Sequence, residues 1–236
     1  TRLVITGQQP GFLTGPLFTV FKAITAVAAA AHMERLTGVA HVPAFWVASE
    51  DHDLDEARAA SLPAPDGTTV EFQIPHSADR RPLSAYPFDE GCKRILEDAL
   101  RLLDAHRHGA DARALAELYG GRDLAGGFAA ILSRLFERQG LLIIEPESLR
   151  AAAAPFIRRA LENPWRLMDR ILQGIRDVES LQMKAQVPPR FPLFLLEDGK
   201  RHHLSPETGN SPETGTHFRQ EGSGRIYQLQ ELLEIL

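Results

Sequence analysis

One cysteine, two tryptophans and three tyrosines are all that the 236 residues hold of those types. Cys92 alone excludes an internal disulfide and a cysteine-built metal cluster, which suits a reducing cytoplasm. Positive charge is not in excess: 26 Lys and Arg face 31 Asp and Glu, and the net charge of −5 removes the electrostatic reason to expect nucleic acid. No apolar run reaches membrane-spanning length, the alanine-rich residues 23–31 being the middle of an amphipathic helix. The sequence opens without the pattern of a secretory leader, so a cytoplasmic setting is expected. A composition of 44% hydrophobic and 24% charged residues is that of a globular chain with one sizeable domain, or one domain and a small appendage.

What the sequence does have is a strand, a turn and a helix at its start. Leu3-Val4-Ile5 is apolar and β-branched enough for a buried strand. Residues 7–16 then hold three glycines, Gly7, Gly11 and Gly15, and two prolines. Glycine lets backbone approach a ligand, and proline fixes the path of a turn. Thr14 or Gly15 is expected to cap a helix with Pro16 in its first turn. Leu17, Val20, Phe21, Ile24, Val27, Ala28 and Ala31 share one face of that helix, which should run to about Leu36 and stop at Gly38. Unpaired N–H groups and the dipole at its N-terminus suit an anion. A tight connection with no ligand explains the glycines and prolines as well, and the adjacent amides of Gln8 and Gln9 are what favour binding. The spacing is neither GxGxxG nor GxxxxGK[ST], so it does not indicate NAD or an ordinary P-loop ATPase.

A second apolar run, His41 to Ala48, has no alternation and reads as a strand covered on both faces. Strand, helix and strand make a βαβ unit, whose two strands end at the same sheet edge, where open α/β folds bind ligands. There the chain continues Ser49-Glu50-Asp51-His52-Asp53-Leu54-Asp55-Glu56. A histidine among carboxylates can act as general acid, base or ligand. The competing reading is a helix N-terminus capped by Ser49 with carboxylates on the dipole; it accounts for Asp55 and Glu56 but poorly for His52. The Asp51, Asp53, Asp55 spacing fails as a calcium loop because Glu56 and Leu62 stand where glycine and glutamate are needed, so no metal site is expected.

From about Ser61 to Phe88 prolines recur, Asp66-Gly67 marks a turn, and Thr69 to Ile74 alternates as a half-exposed strand, which predicts short antiparallel strands inserted into the α/β core. His76 reads as a surface residue. Helices are expected over 90–105, around Leu115 and Leu118, and over 124–139, followed by a third strand, Leu141 to Ile144, with Glu145 at its end. Ser148 should cap a helical region reaching Lys184, interrupted at Pro155 and at Asn163-Pro164. Ala185 to Val187, Leu193 to Leu196 and Arg201 to Leu204 read as paired strands with an Asp198-Gly199 turn. The repeated Ser-Pro-Glu-Thr-Gly of residues 205–209 and 211–215 reads as a polar loop. His202 and His203, adjacent in a strand, point to opposite faces and cannot share a metal. A last amphipathic helix begins at Gln228.

The segment Thr6 to Ala23 and the segment Val42 to Glu56 together resemble the BshC family, the cysteine-adding enzymes of bacillithiol biosynthesis. Leu124 to Pro146, ending GLLIIEP, and Gln186-Val187 to Arg201 are similar to later parts of that family. The resemblance implies an α/β fold: a Rossmann-like parallel sheet core, related in architecture to class I aminoacyl-tRNA synthetases, with inserted connecting-peptide-like α+β elements. On that basis residues 1–60 are the first half of the core and 61–90 the inserted short-strand segment. Residues 91–150 are helices and the third core strand, and 151–236 a helical segment with a small β-hairpin region. Family members extend well beyond this length, so the chain is expected to be a piece of a longer protein that carries a dimerising coiled coil.

The implied activity is a cysteine ligase that joins cysteine to glucosaminyl-malate, forming a carbon–nitrogen bond. Its partners are then small-molecule substrates, with no nucleic acid, no membrane and a homodimer in the longer protein. Such a reaction needs an activated acyl group; the residues do not name the donor, for which ATP or another nucleotide is a candidate. His52 with Asp51 and Asp53 is the expected catalytic group. Gly7, Gln8, Gln9, Gly11, Thr14, Gly15 and Glu50 are the expected substrate- or nucleotide-binding residues. Two other readings stay open: a nucleotidyltransferase-type enzyme that activates another acid, and a non-catalytic ligand-binding remnant.

Overall fold

Apolar and β-branched residues between Arg2 and Gln8 extend as strand β1, which a computed structural model describing residues 1–77, 81–208 and 216–236 pairs with a second strand of equal length. The first unit, Thr1–Ser148, runs β1, α1 (Phe18–Thr37), β2 (His41–Val47), α2 (Leu54–Ala57), β3 (Ala59–Pro63), β4 (Thr69–Gln73), α3 (Glu90–Leu103), α4 (Gly109–Ala116), α5 (Leu124–Leu135) and β5 (Leu142–Ile144). Its main sheet has the order β1-β2-β5 with every pair parallel, an α/β Rossmann-like arrangement. Arg2 stands opposite His41 and Gln8 opposite Val47, so both strands end together. Pro43 is tolerated in β2 because its nitrogen faces the β5 side, where pairing starts only at Ala44.

One face of this sheet is filled. Phe45 and Val47 of β2 are fully buried with Ala23 of α1 and Phe128 and Leu132 of α5, and the Phe45 and Phe128 rings lie 6.0 Å apart. Helix α1 ends as expected, with Gly38 left-handed at φ 66°. Its packing face differs from the expected one. Thr19, Ala23, Ala26 and Ala30 are buried, whereas Leu17, Phe21 and Ile24 are 68%, 57% and 47% exposed. The helix is apolar nearly all round, so sequence periodicity could not choose its face; alanines let it approach the sheet closely. The strand expected to be buried at Leu3–Ile5 is likewise open, with Leu3 49% and Ile5 57% exposed.

The inserted strands are a β3–β4 hairpin turning at Gly67, φ 84°. It opens at Ala59, two residues before the expected change of character at Ser61. With α3, α4 and α5 the insertion builds its own core around Ile74, Leu83, Phe88, Leu96, Leu100 and Leu124. Helices α3 and α5 are capped by Asp89 and Asp123, each accepting from the N–H three residues on. Helix α5 stops at Leu135, short of the expected residue 139, because a tighter turn over Glu137–Gln139 leads into Gly140.

The second unit, Leu149–Leu236, holds most of α6 (Pro146–Glu162), then α7 (Pro164–Ser180), β6 (Phe194–Glu197), β7 (Lys200–Thr208), β8 (Thr216–Gln220), β9 (Ile226–Gln228) and α8 (Leu229–Ile235). Helix α6 starts at Pro146, not with a Ser148 cap; the Ser148 hydroxyl donates to the Glu145 carbonyl instead, at 2.7 Å. The hairpin is there, with Asp198 and Gly199 both at positive φ, 52° and 70°. It is part of a four-stranded antiparallel sheet, β6-β7-β8-β9, larger than the expected hairpin region. Ala185–Val187 forms no strand, since Pro188 and Pro189 follow at once. Ser205 to Thr208 of the first Ser-Pro-Glu-Thr copy lies in β7, not in a loop, and the second copy falls outside the described residues. His203 is buried, its Nε2 2.5 Å from the Phe191 carbonyl and its Nδ1 2.8 Å from Glu221.

Gly127 lies under the Tyr119 ring, where an added Cβ would fall 2.0 Å from a ring carbon. Helix propensity favours alanine there by about 1 kcal/mol, but overlap with a fully buried ring outweighs it. Gly127→Ala is expected to lower stability by about 1–3 kcal/mol in urea titrations monitored by circular dichroism.

Candidate active site at the sheet edge

β1 leaves the sheet at Gln8, and the chain bends through residues 9–17 into α1. Two glycines answer to contact with backbone: a Cβ on Gly7 would lie 2.8 Å from the Trp46 carbonyl oxygen, and one on Gly11 2.7 Å from the Gly15 Cα. Gly15 takes φ 66° and ψ −146°, a region left to glycine. Leu13 and Thr14, at φ 50° and 74°, are held left-handed at a cost on the order of 1–3 kcal/mol each. Phe12 anchors this strained turn, fully buried with its ring 6.3 Å from both Phe88 and Tyr119. The Leu13 N–H donates to the Tyr119 hydroxyl at 3.1 Å, and burial holds that phenol protonated by pushing its pKa up.

The expected anion cradle of backbone amides is largely spent inward. Gly15 N–H donates to Phe12, Thr19 N–H to Pro16 and Val20 N–H to Leu17, at 2.9, 2.9 and 3.1 Å. Neither Thr14 nor Gly15 caps the helix, which starts at Phe18 after Leu17 with no side-chain cap. Positive charge comes instead from Lys22, whose ammonium donates to the Gln8 Oε1 at 2.8 Å and to the Gly7 carbonyl at 3.2 Å. Sequence reasoning passed Lys22 over; its signal is a single cation one turn into an otherwise apolar helix, 4.9 Å above the Phe18 ring.

Beyond β2 the acidic stretch turns back toward this loop. Gln9 Nε2 donates to Asp51 Oδ2 at 2.6 Å, joining two segments 42 residues apart. The other Asp51 oxygen accepts the His52 backbone N–H at 2.7 Å and lies 3.6 Å from His52 Nδ1. Both side chains are about 30% exposed, His52 at 28% and Asp51 at 31%, so ligands can reach them. The insertion fixes the stretch from behind, with Leu83 N–H on the Asp51 carbonyl (2.8 Å) and Ser84 N–H on the Ser49 carbonyl (3.0 Å). Asp53 caps α2 by accepting from the Glu56 N–H at 3.3 Å, with Asp55 and Glu56 in the first turn. The expected Ser49 cap is not formed: Ser49 is fully buried, and its hydroxyl donates to the Glu147 carboxylate at 2.9 Å. Glu50 is half-buried beside Asp51 in sequence. Outside this cluster, His76 is half-exposed, 3.5 Å from Asp55.

Glu145 stands at the end of β5, on the same sheet edge as the ends of β1 and β2. It lines a cleft of about 470 Å³ with Arg122, Asp123, Gly126 and Ile143. Burial first, then Glu147 and Asp123, pushes its pKa up. Glu147 is the second residue that the sequence did not single out. Neither this cleft nor a groove of about 450 Å³ between β1 and α1 is lined by Gln9 or His52.

A parallel sheet with its strands joined through helices, and with a strained turn, a histidine and carboxylates gathered along one rim, defines a Rossmann-like α/β domain. A family model described as bacillithiol biosynthesis BshC, N-terminal Rossmann-like domain, matches residues 1–236. The chain belongs to the BshC family. A relative from Heliobacterium modesticaldum is 30% identical over 98% of this chain and 43% of its own length. Relatives from Halalkalibacterium halodurans and Salinibacter ruber are 28% and 30% identical over 99% of this chain and 43% of theirs. Each carries the provisional name cysteine ligase BshC. The chain thus spans less than half the length of the curated relatives it matches.

Because the folded pKa of Glu145 is raised, the fold prefers its neutral form. Its contribution to stability is complete below the ordinary carboxylate range and is lost as pH rises through the elevated value. Glu145→Gln is therefore expected to melt higher than the parent at neutral pH, with the difference closing at acidic pH; thermal melts across pH check it.

Proposed function

We propose that this chain supplies half of the active site of a cysteine ligase, in which the carboxyl of cysteine is joined to the amine of glucosaminyl-malate to give bacillithiol. The observation that carries the reading is the Gln9–Asp51 hydrogen bond, which gathers the glycine-rich turn and the acidic stretch at one rim of a parallel sheet in a BshC-family chain. His52, with Asp51 beside its Nδ1, takes the proton that the amine loses as its nitrogen bonds to the activated acyl carbon, while the bond from that carbon to the oxygen of the activating group breaks and that group leaves with the electron pair. Gln8 and Gln9 orient the substrate through their amides. Gly7, Gly11, Thr14 and Gly15 set the shape of the turn, and Asp53 fixes the chain beyond His52. Glu50, half-buried beside Asp51 in sequence, is assigned to substrate binding with them.

An anionic group, either a phosphate or the malate carboxylate, is met by the Lys22 ammonium beside Gln8. That cation is the feature of the turn that suits ATP or another nucleotide, which when bound supplies the activation of the cysteine carboxyl. The remaining substrate contacts, and pairing into a homodimer, belong to the longer polypeptide, working in the cytoplasm.

Activity is tested in that longer polypeptide, with cysteine, glucosaminyl-malate and ATP, by assay of the thiol product. His52→Ala is expected to lose about 10²–10⁴-fold in turnover with little change in melting temperature, since His52 is partly exposed. Full turnover in this variant overturns the assignment. Asp53→Ala should instead cost about 1 kcal/mol of stability through the lost cap, read by urea unfolding.

A further inference from the structure

The strands of the first unit's main sheet stand in the order β1, β2, β5, and side chains just past their ends are linked across the rim. Gln9, past β1, donates to Asp51 at 2.6 Å. Glu147, past β5, accepts from the hydroxyl of Ser49, past β2, with its two oxygens 2.9 and 3.1 Å from Ser49 Oγ. Because β2 is the middle strand, the loop that follows it is held from both flanks, by Gln9 on the β1 side and by Glu147 on the β5 side. His52 belongs to that loop. A bond on each flank sets where the loop lies across the rim, and removing one frees it to move toward the other.

The Ser49–Glu147 bond is made from a fixed backbone. Ser49 is fully buried, its N–H donates to the Val47 carbonyl at 2.8 Å, and its own carbonyl accepts from the Ser84 N–H. Glu147 is half-buried in the first turn of α6, where the helix dipole favours a carboxylate. Any shift of Ser49 passes along a short bonded run to His52: Asp51 N–H donates to the Ala48 carbonyl at 3.2 Å, and the Asp51 carboxylate accepts the His52 N–H at 2.7 Å. Filling space does not require such a pair, since apolar side chains of the same shape need no partner. Glu147 also lies near Glu145, whose pKa is pushed up by burial first and by Glu147 next. The bond is thus kept against repulsion, at the foot of the loop that carries His52.

We propose that Glu147 is a positioning residue of this site: by accepting from Ser49 it fixes the place of the loop across the rim, and with it the reach of the His52 imidazole to the reacting amine. Glu147 touches no substrate in this role and acts through Ser49 alone. A misplacement of about 1 Å at a reacting group costs on the order of 100-fold in rate, so a bond that holds the loop to that precision is felt in turnover more than in binding. The proposal rests on the ligase reading for the identity of the reaction, whereas the placement of His52 is a property of the loop and is measurable without it.

The test uses the longer polypeptide with Glu147→Ala, Glu147→Gln, Ser49→Ala and the double alanine variant. Glu147→Ala is expected to lower kcat for the thiol product by about 10- to 100-fold, with KM for cysteine and for glucosaminyl-malate changed by less than about twofold. Glu147→Gln keeps an acceptor for Ser49 and should stay within about threefold of the parent. The double variant should fall no further than the slower single one, because both remove the same bond. A parent-like kcat in Glu147→Ala overturns the proposal, as does a glutamine variant as slow as the alanine one, or a double loss equal to the product of the single losses. Position is read from the Cε1–H resonance of His52 in polypeptide made with isotope-labelled histidine, assigned by its disappearance in His52→Ala. That resonance is expected to move in Ser49→Ala and Glu147→Ala and to return in Glu147→Gln; a resonance unmoved in both alanine variants overturns the proposal. The readout needs no turnover, so a parent that makes no thiol product ends the ligase reading and leaves the resonance to decide this one. If Glu147→Ala does not fold, Ser49→Ala, which leaves no buried donor without an acceptor, decides by the same two measures.

Discussion

The seven-residue parallel register between β1 and β2 is the constraint on which the rest depends. Because Arg2 meets His41 and Gln8 meets Val47, the two strands finish level, and whatever follows each is delivered to the same rim. Gln9 and Asp51, far apart in sequence, then need only one short bend apiece to reach hydrogen-bond distance. A slip of one residue would turn Phe45 and Val47 away from α1 and α5 and would part the two loops as well.

The insertion between β2 and β5 acts as the support of that rim. Phe88 and Tyr119 come from it, stacked 4.4 Å apart, and between them they hold Phe12 and the Leu13 amide. Leu83 and Ser84 hold the other loop by its carbonyls. Two left-handed non-glycine residues persist in the turn because this buried aromatic cluster over-determines their position. The insertion is thus a clamp on both loops, and its own core explains why it can be rigid enough to serve as one.

Charge at the rim is arranged differently from a helix-terminus anion site. The amides of the turn bond among themselves, and Lys22 reaches back from α1 to the Gln8 side chain. A side-chain ammonium can move with a ligand, whereas a backbone amide cannot. The acidic side is also divided: Asp53 and Ser49 are committed to structure through a cap and through Glu147, while Asp51 and His52 remain together at the surface of the rim.

Residues in sequence determined the βαβ unit, the Gly38 stop, the inserted hairpin and the Asp198-Gly199 turn, because each rests on local rules of period, glycine and turn chemistry. They also brought the turn and the acidic stretch to one edge, since parallel strands joined by a crossover must end together. The packing face of α1 was decided only in three dimensions: its apolar residues are spread round the helix so that no one face stands out, and its alanines face the sheet, where they allow close approach. The Ser49–Glu147 bond and the Tyr119 clamp were likewise beyond the sequence, for the first depends on β5 pairing beside β2 and the second on how the insertion folds back over the turn.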